Sequence, residues 1–174
     1  LNQNKPQVII ATSTIKGEGK SFVSYNIAQS YNALGKKVIL IGADLRNPQV
    51  HTLLGIERGN LGLSTFLNDV NYNDLDKLIV KGKSIDEMDY LLSGAIPPNP
   101  SELLMRPRMK ELLEILKSSY DLIIIDTAPL LLVSDTTPLL PLCDLVVYVS
   151  RAQYSDKNIF PFIKEMHNRE NMPP

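Results

Sequence analysis

The chain has 174 residues, 44% hydrophobic and 21% charged, with a formal net charge of −1. That length carries one domain with its own core. The near-neutral balance excludes a global basic field of the kind that gathers nucleic acid or anionic lipid. The single cysteine, Cys143, excludes an intramolecular disulfide; set in the apolar run 139–149, it is expected to be a buried thiol in a reducing compartment. No apolar stretch reaches the ~18 residues of a membrane span, and no signal peptide opens the chain. The end, Asn171-Met172-Pro173-Pro174, stops where another strand could begin, so the expectation is one domain over residues 1–174 taken from a longer protein.

In chain order, residues 8–13 read as a first strand and 20–33 as a helix, with Phe22, Ile27, Ala28 and Tyr31 as core-facing candidates and Gly35 as its C-terminal stop. Val38-Ile39-Leu40-Ile41 is a second strand, apolar on both faces, which suits a parallel sheet covered by helices on each side. Residues 61–68 and 74–80 are expected to be short helices and Met88–Leu92 a third strand. The prolines of Ile96-Pro97-Pro98-Asn99-Pro100 impose an extended stretch, and Ser101-Glu102-Leu103-Leu104 opens a helix. Residues 107–118 form an amphipathic helix with Met109, Leu112, Leu113 and Leu116 on one face. Leu122–Asp126 is the clearest strand, Asp144–Ser150 the fifth, and 156–168 a closing helix. Strands alternating with helices predict an α/β fold with a doubly wound, mostly parallel sheet.

Chemistry concentrates at the C-terminal ends of three strands, where open α/β sheets bind ligands. The first is followed by Lys16-Gly17-Glu18-Gly19-Lys20-Ser21, then a helix. A glycine-rich turn feeding a helix N-terminus cradles phosphate with unpaired N–H groups and the helix dipole. Residues 16–21 and the adjoining Phe22 are therefore nucleotide-binding candidates. Lys20 is expected to reach the β/γ-phosphates and Ser21 to ligate Mg²⁺. The loop is a deviant P-loop, because Thr14 stands where the strict pattern has glycine. Asp126 ends the fourth strand as a Walker B carboxylate and is a second candidate metal residue. Asp44, after the second strand, is a candidate to orient a metal-bound water or take a proton from an incoming hydroxyl; Arg46 is a candidate phosphate contact. His51 and His167 show no zinc spacing and read as surface or satisfied histidines, and most of the seven tyrosines read as core or surface packing residues, not phosphosites. Residues near 151–156 are placed by topology beside the adenine.

Four stretches, Ser13–Ser21, Ile39–Pro48, Ser93–Leu104 and Ile123–Pro129, together resemble the cytoplasmic kinase domains of bacterial tyrosine kinases, which control capsule and exopolysaccharide export. The stretch Ser93-Gly94-Ala95-Ile96-Pro97-Pro98-Asn99-Pro100-Ser101-Glu102-Leu103-Leu104 is the most specific, being absent from partitioning-type ATPases. The resemblance implies a P-loop fold of the MinD/ParA type binding ATP/ADP with Mg²⁺ and phosphorylating protein tyrosines. It makes Lys20, Asp44 and Asp126 catalytic and Ser21, Asp44 and Asp126 the metal set. It further implies homo-oligomers that phosphorylate one another, a membrane polysaccharide co-polymerase or activator segment as partner, a place on the cytoplasmic side of the bacterial plasma membrane, and no nucleic-acid partner. The family's ring-forming helix would precede residue 1, and its tyrosine-rich tail would follow residue 174. Three departures stand out. Gly42 occupies the place of the usual first Walker A′ aspartate, Lys16 replaces a proline, and Asp126-Thr127-Ala128-Pro129 replaces Asp-Thr-Pro-Pro. Gly42 keeps one alternative open, a weakly active or inactive nucleotide-binding regulatory module; a ParA/MinD-type ATPase is another, and the stretch 96–104 and the lack of a signature lysine at Ile15 count against it.

Overall fold

The computed structural model describes residues 5–82, 88–130 and 135–167. Its sheet has six strands in the order β3-β4-β2-β5-β1-β6. They are β1 (Gln7–Ser13), β2 (Val38–Gly42), β3 (Ile79–Val80), β4 (Asp89–Leu91), β5 (Leu122–Asp126) and β6 (Leu145–Val149). All neighbours run parallel except β3, which is antiparallel to β4 at one edge. The helices are α1 (Lys20–Ala33), α2 (Val50–Leu53), α3 (Leu63–Asn68), α4 (Pro100–Met105), α5 (Pro107–Lys117) and α6 (Ile159–His167). The doubly wound, mostly parallel architecture matches the expectation from the sequence.

The apolar strands are buried on both faces because successive side chains go to opposite sides of the sheet. Val8, Ile10, Ile39, Ile41, Ile123 and Ile125 enter one core with Met109, Leu112, Leu113 and Leu116 of α5. Each of those four helix side chains contributes about 1.5–3 kcal/mol by burial. Ile9, Leu40 and Ile124 enter the other core with Ala28 of α1, flanked by half-buried Tyr25, Ile27 and Tyr31. Phe22 departs from its expected place: it is 61% exposed. The face of α1 turned to the sheet runs through Lys20, Ser24 and Ala28, and Phe22 lies about 200° round the helix from Lys20 at ~100° per residue.

A second departure lies in the middle of the chain. The helix expected over 74–80 is one 3-10 turn, Leu75–Lys77, followed by β3. The β-branched pair Ile79-Val80 finds a partner strand in Leu91 and Tyr90, and that pairing overrides a short helical pattern. Gly62 has a packing reason. The α3 N-terminus hydrogen-bonds to the end of β4, Leu63 N–H to Leu92 O at 2.8 Å and Ser64 N–H to Ser93 O at 3.0 Å. A Cβ on Gly62 would meet Leu92 O at 2.3 Å, so only glycine admits this approach.

Among the described residues no helix is long and apolar enough to cross a membrane. His167 ends α6, but its side chain lies outside the described set, as do residue 168 of the expected closing helix and Asn171–Pro174. Cys143 is half-buried rather than buried. Burial, reinforced by the Asp144 charge, still pushes its thiol up to about 12. At pH 8 the thiolate, the reactive form, is then ~10³-fold scarcer than in a free cysteine. Iodoacetamide should label the native protein correspondingly slowly and the guanidinium-unfolded chain at the free-cysteine rate; equal rates in the two states would contradict this environment.

Candidate functional site

The strand register assembles the site. Asp126, last residue of β5, pairs with Ala11 of β1 on one side and Gly42 of β2 on the other. Its backbone carbonyl accepts the Ala43 and Asp44 N–H groups at 2.8 and 3.1 Å. Three strand ends, and the loops they feed, thus meet at one carboxylate. That carboxylate is 1% exposed. Its Oδ1 accepts from Lys20 Nζ at 2.7 Å and Ser24 Oγ at 3.1 Å, and its Oδ2 accepts from Ser21 Oγ at 2.7 Å. Ser24 also donates to Lys20 O at 2.9 Å. Sequence reasoning missed Ser24; its position, one helical turn after Lys20 on the buried face of α1, is the signal that would have found it.

The loop before α1 is shaped by two left-handed glycines, Gly17 at φ 92 and Gly19 at φ 93. Gly19 leads directly into α1, whose first N–H groups have no acceptor within the helix. Glu18 is committed to the loop itself. Its carboxylate accepts the Ile15 N–H at 2.8 Å and the Ser155 hydroxyl, which leaves its backbone for the cradle. Lys16 and Gly17 offer their carbonyls to Tyr154 and Arg151, at 2.9 and 3.3 Å. Residues 151–155 therefore grip the loop backbone, a contact the topological guess of an adenine site did not foresee.

Around these groups lies a cavity of about 740 Å³ lined by residues 15–22 together with Asp44, Arg46, Leu53 and Pro129 among others. That size is within the range of small-molecule sites. Phe22 is one of its walls, which accounts for its exposure. Asp44 is 6% exposed. Burial holds its carboxyl above the usual carboxylate range and the Asp126 charge adds to this, while the Asn47 amide and the Lys20 ammonium oppose it. Oδ1 of Asp44 accepts the Asn47 N–H at 2.9 Å, and the Arg46 backbone N–H also bonds this carboxylate. Arg46 lines the cavity, but its guanidinium is already engaged: it forks onto buried Asp135 at 2.6 and 3.1 Å and reaches Ser101 at 3.0 Å. Ser101 in turn donates to Asp135. Asp135 was not singled out from sequence, since nothing local marks an aspartate in a Ser-Asp-Thr-Thr run as a partner for residue 46. Among the described residues no cluster of three or more His, Cys, Asp or Glu side chains stands ready for a metal. The cavity itself presents Asp44 and the Ser21 hydroxyl, and Asp126 lies behind them, 1% exposed and held by Lys20, Ser21 and Ser24; these are oxygen donors of the kind hard divalent cations take. His51 is satisfied at Nε2 by Thr52 Oγ1 at 3.2 Å, while its Nδ1 is buried without a partner among the described residues, so the reading of His51 as a surface or satisfied residue holds at one nitrogen only.

The Lys20–Asp126 pair is nearly dry, with side chains 8% and 1% exposed. Removing one member of such a pair strands the other. Lys20→Met is expected to cost the nucleotide-free protein about 3–5 kcal/mol in chemical denaturation. A loss below ~1 kcal/mol would mean that Ser21 and Ser24 satisfy Asp126 by themselves.

The family model described as an AAA domain matches residues 7–172. The chain is similar to the putative tyrosine-protein kinase EpsB of Ralstonia solanacearum, 38% identical over 148 residues, which is 85% of this chain and 19% of that protein. It is similar to the tyrosine-protein kinase YwqD of Bacillus subtilis strain 168, 41% identical over 122 residues, or 70% of this chain and 50% of that protein. Among solved structures, the VpsO kinase domain superposes with a TM-score of 0.89 at 31% identity, covering 99% of this chain and 83% of that one. The chain thus spans half or less of the length of these two full-length relatives. With a P-loop, a Walker B carboxylate and a matching fold in register, the chain belongs to the AAA-domain family and, within it, to the bacterial tyrosine-protein kinases.

Proposed function

We propose that this domain is the ATP-dependent kinase part of a longer protein that phosphorylates tyrosines, itself included, in the control of capsule or exopolysaccharide export. The observation that carries the reading is the convergence of Lys20 and Ser21 on the buried Asp126 carboxylate, with Asp44 lining the adjoining cavity. In this reading residues 1–174 are a single kinase domain acting at the cytoplasmic face of the membrane. It works as a homo-oligomer beside a membrane polysaccharide co-polymerase or activator segment.

Bound Mg·ATP would supply the transferable γ-phosphoryl group and a cation that neutralises its charge. The remaining work falls to the chain. The backbone of residues 16–21 cradles phosphate and orients it. Lys20 would exchange Asp126 for phosphate oxygens, and the Asp126 carboxylate and Ser21 Oγ would hold the cation. The Asp44 carboxylate, its basicity increased by burial, accepts the phenol proton of the acceptor tyrosine. Phe22 and Leu53 give the cavity apolar walls. Arg46 acts through Asp135 and Ser101 to fix the Asp44 loop, a different role from the phosphate contact expected of it.

Gly42 favours a second reading, a nucleotide-binding module of low or no activity. It sits in register beside Asp126 and brings no oxygen. The backbone there admits a side chain: a Cβ would lie 3.5 Å from Ser93 N and from Val50 Cγ2, ordinary contact distances. The test is phosphotyrosine formation by the full-length protein with Mg·ATP, in parallel with Asp44→Asn and Gly42→Asp. Asp44→Asn is expected to lose ~10²–10³ in rate, the scale of one transition-state contact, and Gly42→Asp to gain. Activity in Gly42→Asp alone would establish the module reading. Hydrolysis of ATP without phosphotyrosine in any of the three would move the assignment to a ParA/MinD-type ATPase.

A further inference from the structure

All seven tyrosines lie in described parts of the chain, and they are not equivalent. Tyr90 and Tyr120 are buried, and Tyr25, Tyr31, Tyr72 and Tyr148 are half-buried; Tyr154 alone is exposed, at 49%. A kinase can bring only an accessible phenol to a phosphoryl group, so within this domain the accessible acceptor is Tyr154. It lies on the phosphate loop. Its hydroxyl donates to Lys16 O at 2.9 Å, its ring packs 5.3 Å from the Arg151 guanidinium, and Arg151 donates to Gly17 O at 3.3 Å. Ser155, which accepts the Arg151 N–H at 2.7 Å, donates to Glu18. The strap turns at Gln153, the one non-glycine at positive φ among the described residues, φ 62.

We propose that Tyr154 is an acceptor of this chain's own kinase activity, and that its free hydroxyl is a latch on the phosphate loop which phosphorylation opens. The proposal rests on the kinase reading above. In the transfer, the bond from the γ-phosphorus to the β,γ-bridging oxygen breaks and a bond from Tyr154 Oη to phosphorus forms. ADP leaves and the phenol proton passes to a carboxylate or water. Tyr154 is not among the residues lining the cavity of its own chain, so the donor nucleotide is held by a second copy. Latch and modification exclude each other for two reasons. The phosphorylated oxygen has no proton to give the Lys16 carbonyl. It also has no space: a Cβ placed on Gly17 would already stand 2.8 Å from Tyr154 Oη, so the ring must swing off Gly17 to carry a phosphoryl group. Arg151, already beside the ring, is the cation available to the displaced phosphate. An unlatched loop is less ordered, and a less ordered cradle binds nucleotide more weakly. The device is therefore negative feedback, and by reciprocity bound nucleotide shields Tyr154.

The experiment uses the full-length protein, first stripped by a tyrosine phosphatase and then incubated with Mg·ATP. Trypsin releases Ala152–Lys157 as a peptide containing Tyr154 and no other tyrosine. Mass spectrometry is expected to find it phosphorylated, and ADP affinity by calorimetry to fall roughly fivefold, the scale of one lost hydrogen bond. In Tyr154→Phe, ADP affinity is expected to be the same before and after Mg·ATP treatment. Phosphotyrosine elsewhere with an unmodified Ala152–Lys157 peptide would overturn the proposal and leave the kinase reading standing. Absence of phosphotyrosine everywhere would overturn both. A modified Tyr154 with unchanged ADP affinity would overturn the latch.

Discussion

One buried negative charge organises this molecule. The carboxylate of Asp126, 1% exposed, sits at the end of a central strand with neighbours on both sides. A lone charge there would carry a desolvation cost of several kcal/mol. It is tolerated because Lys20, Ser21 and Ser24 all point at it from α1. Those three side chains fix how α1 meets the sheet, and α1 in turn fixes the glycine loop that precedes it. In the proposed reading, the free domain is held together by the same groups that a nucleotide would need. Binding would then exchange one set of Lys20 partners for another, so part of any phosphate interaction would offset the loss of a good internal ion pair.

The fold was legible because its signals are long and mutually consistent. Four continuous apolar strands, one strongly amphipathic helix and a glycine loop between strand and helix leave little choice of architecture. The misses came where signals are short. Ile79-Val80 became an edge strand only because β4 was there to receive it, information that no window around residue 79 contains. Phe22 looked like core by composition and turned out to line the cavity, because helical phase, not hydrophobicity alone, decides which face is buried.

The site was legible in the same uneven way. Lys20, Ser21, Asp44 and Asp126 follow from local motifs, each read at a strand end, and the register brings them together. The partners that hold those residues in place are far away in sequence. Asp135 lies 89 positions from Arg46, and Ser101 lies 55. Their triangle gives a physical account of the Pro-Pro-Asn-Pro-Ser stretch: a stiff segment delivers one hydroxyl to a buried aspartate that is clasped by the arginine of the Asp44 loop. The extended backbone is visible in sequence; its destination is not.

The room around Gly42 bears on how this chain stands relative to its neighbours in sequence space. A glycine that was structurally required would show a left-handed backbone or a crowded Cβ position, as Gly17 does. Gly42 shows neither. Glycine codons ending in a pyrimidine become aspartate codons by one base change, and the Cβ that this step adds meets only ordinary contacts. The residue is therefore not a fixture of the backbone: the end of β2, beside Asp126, can take up a β-carbon at ordinary contact distances from its neighbours.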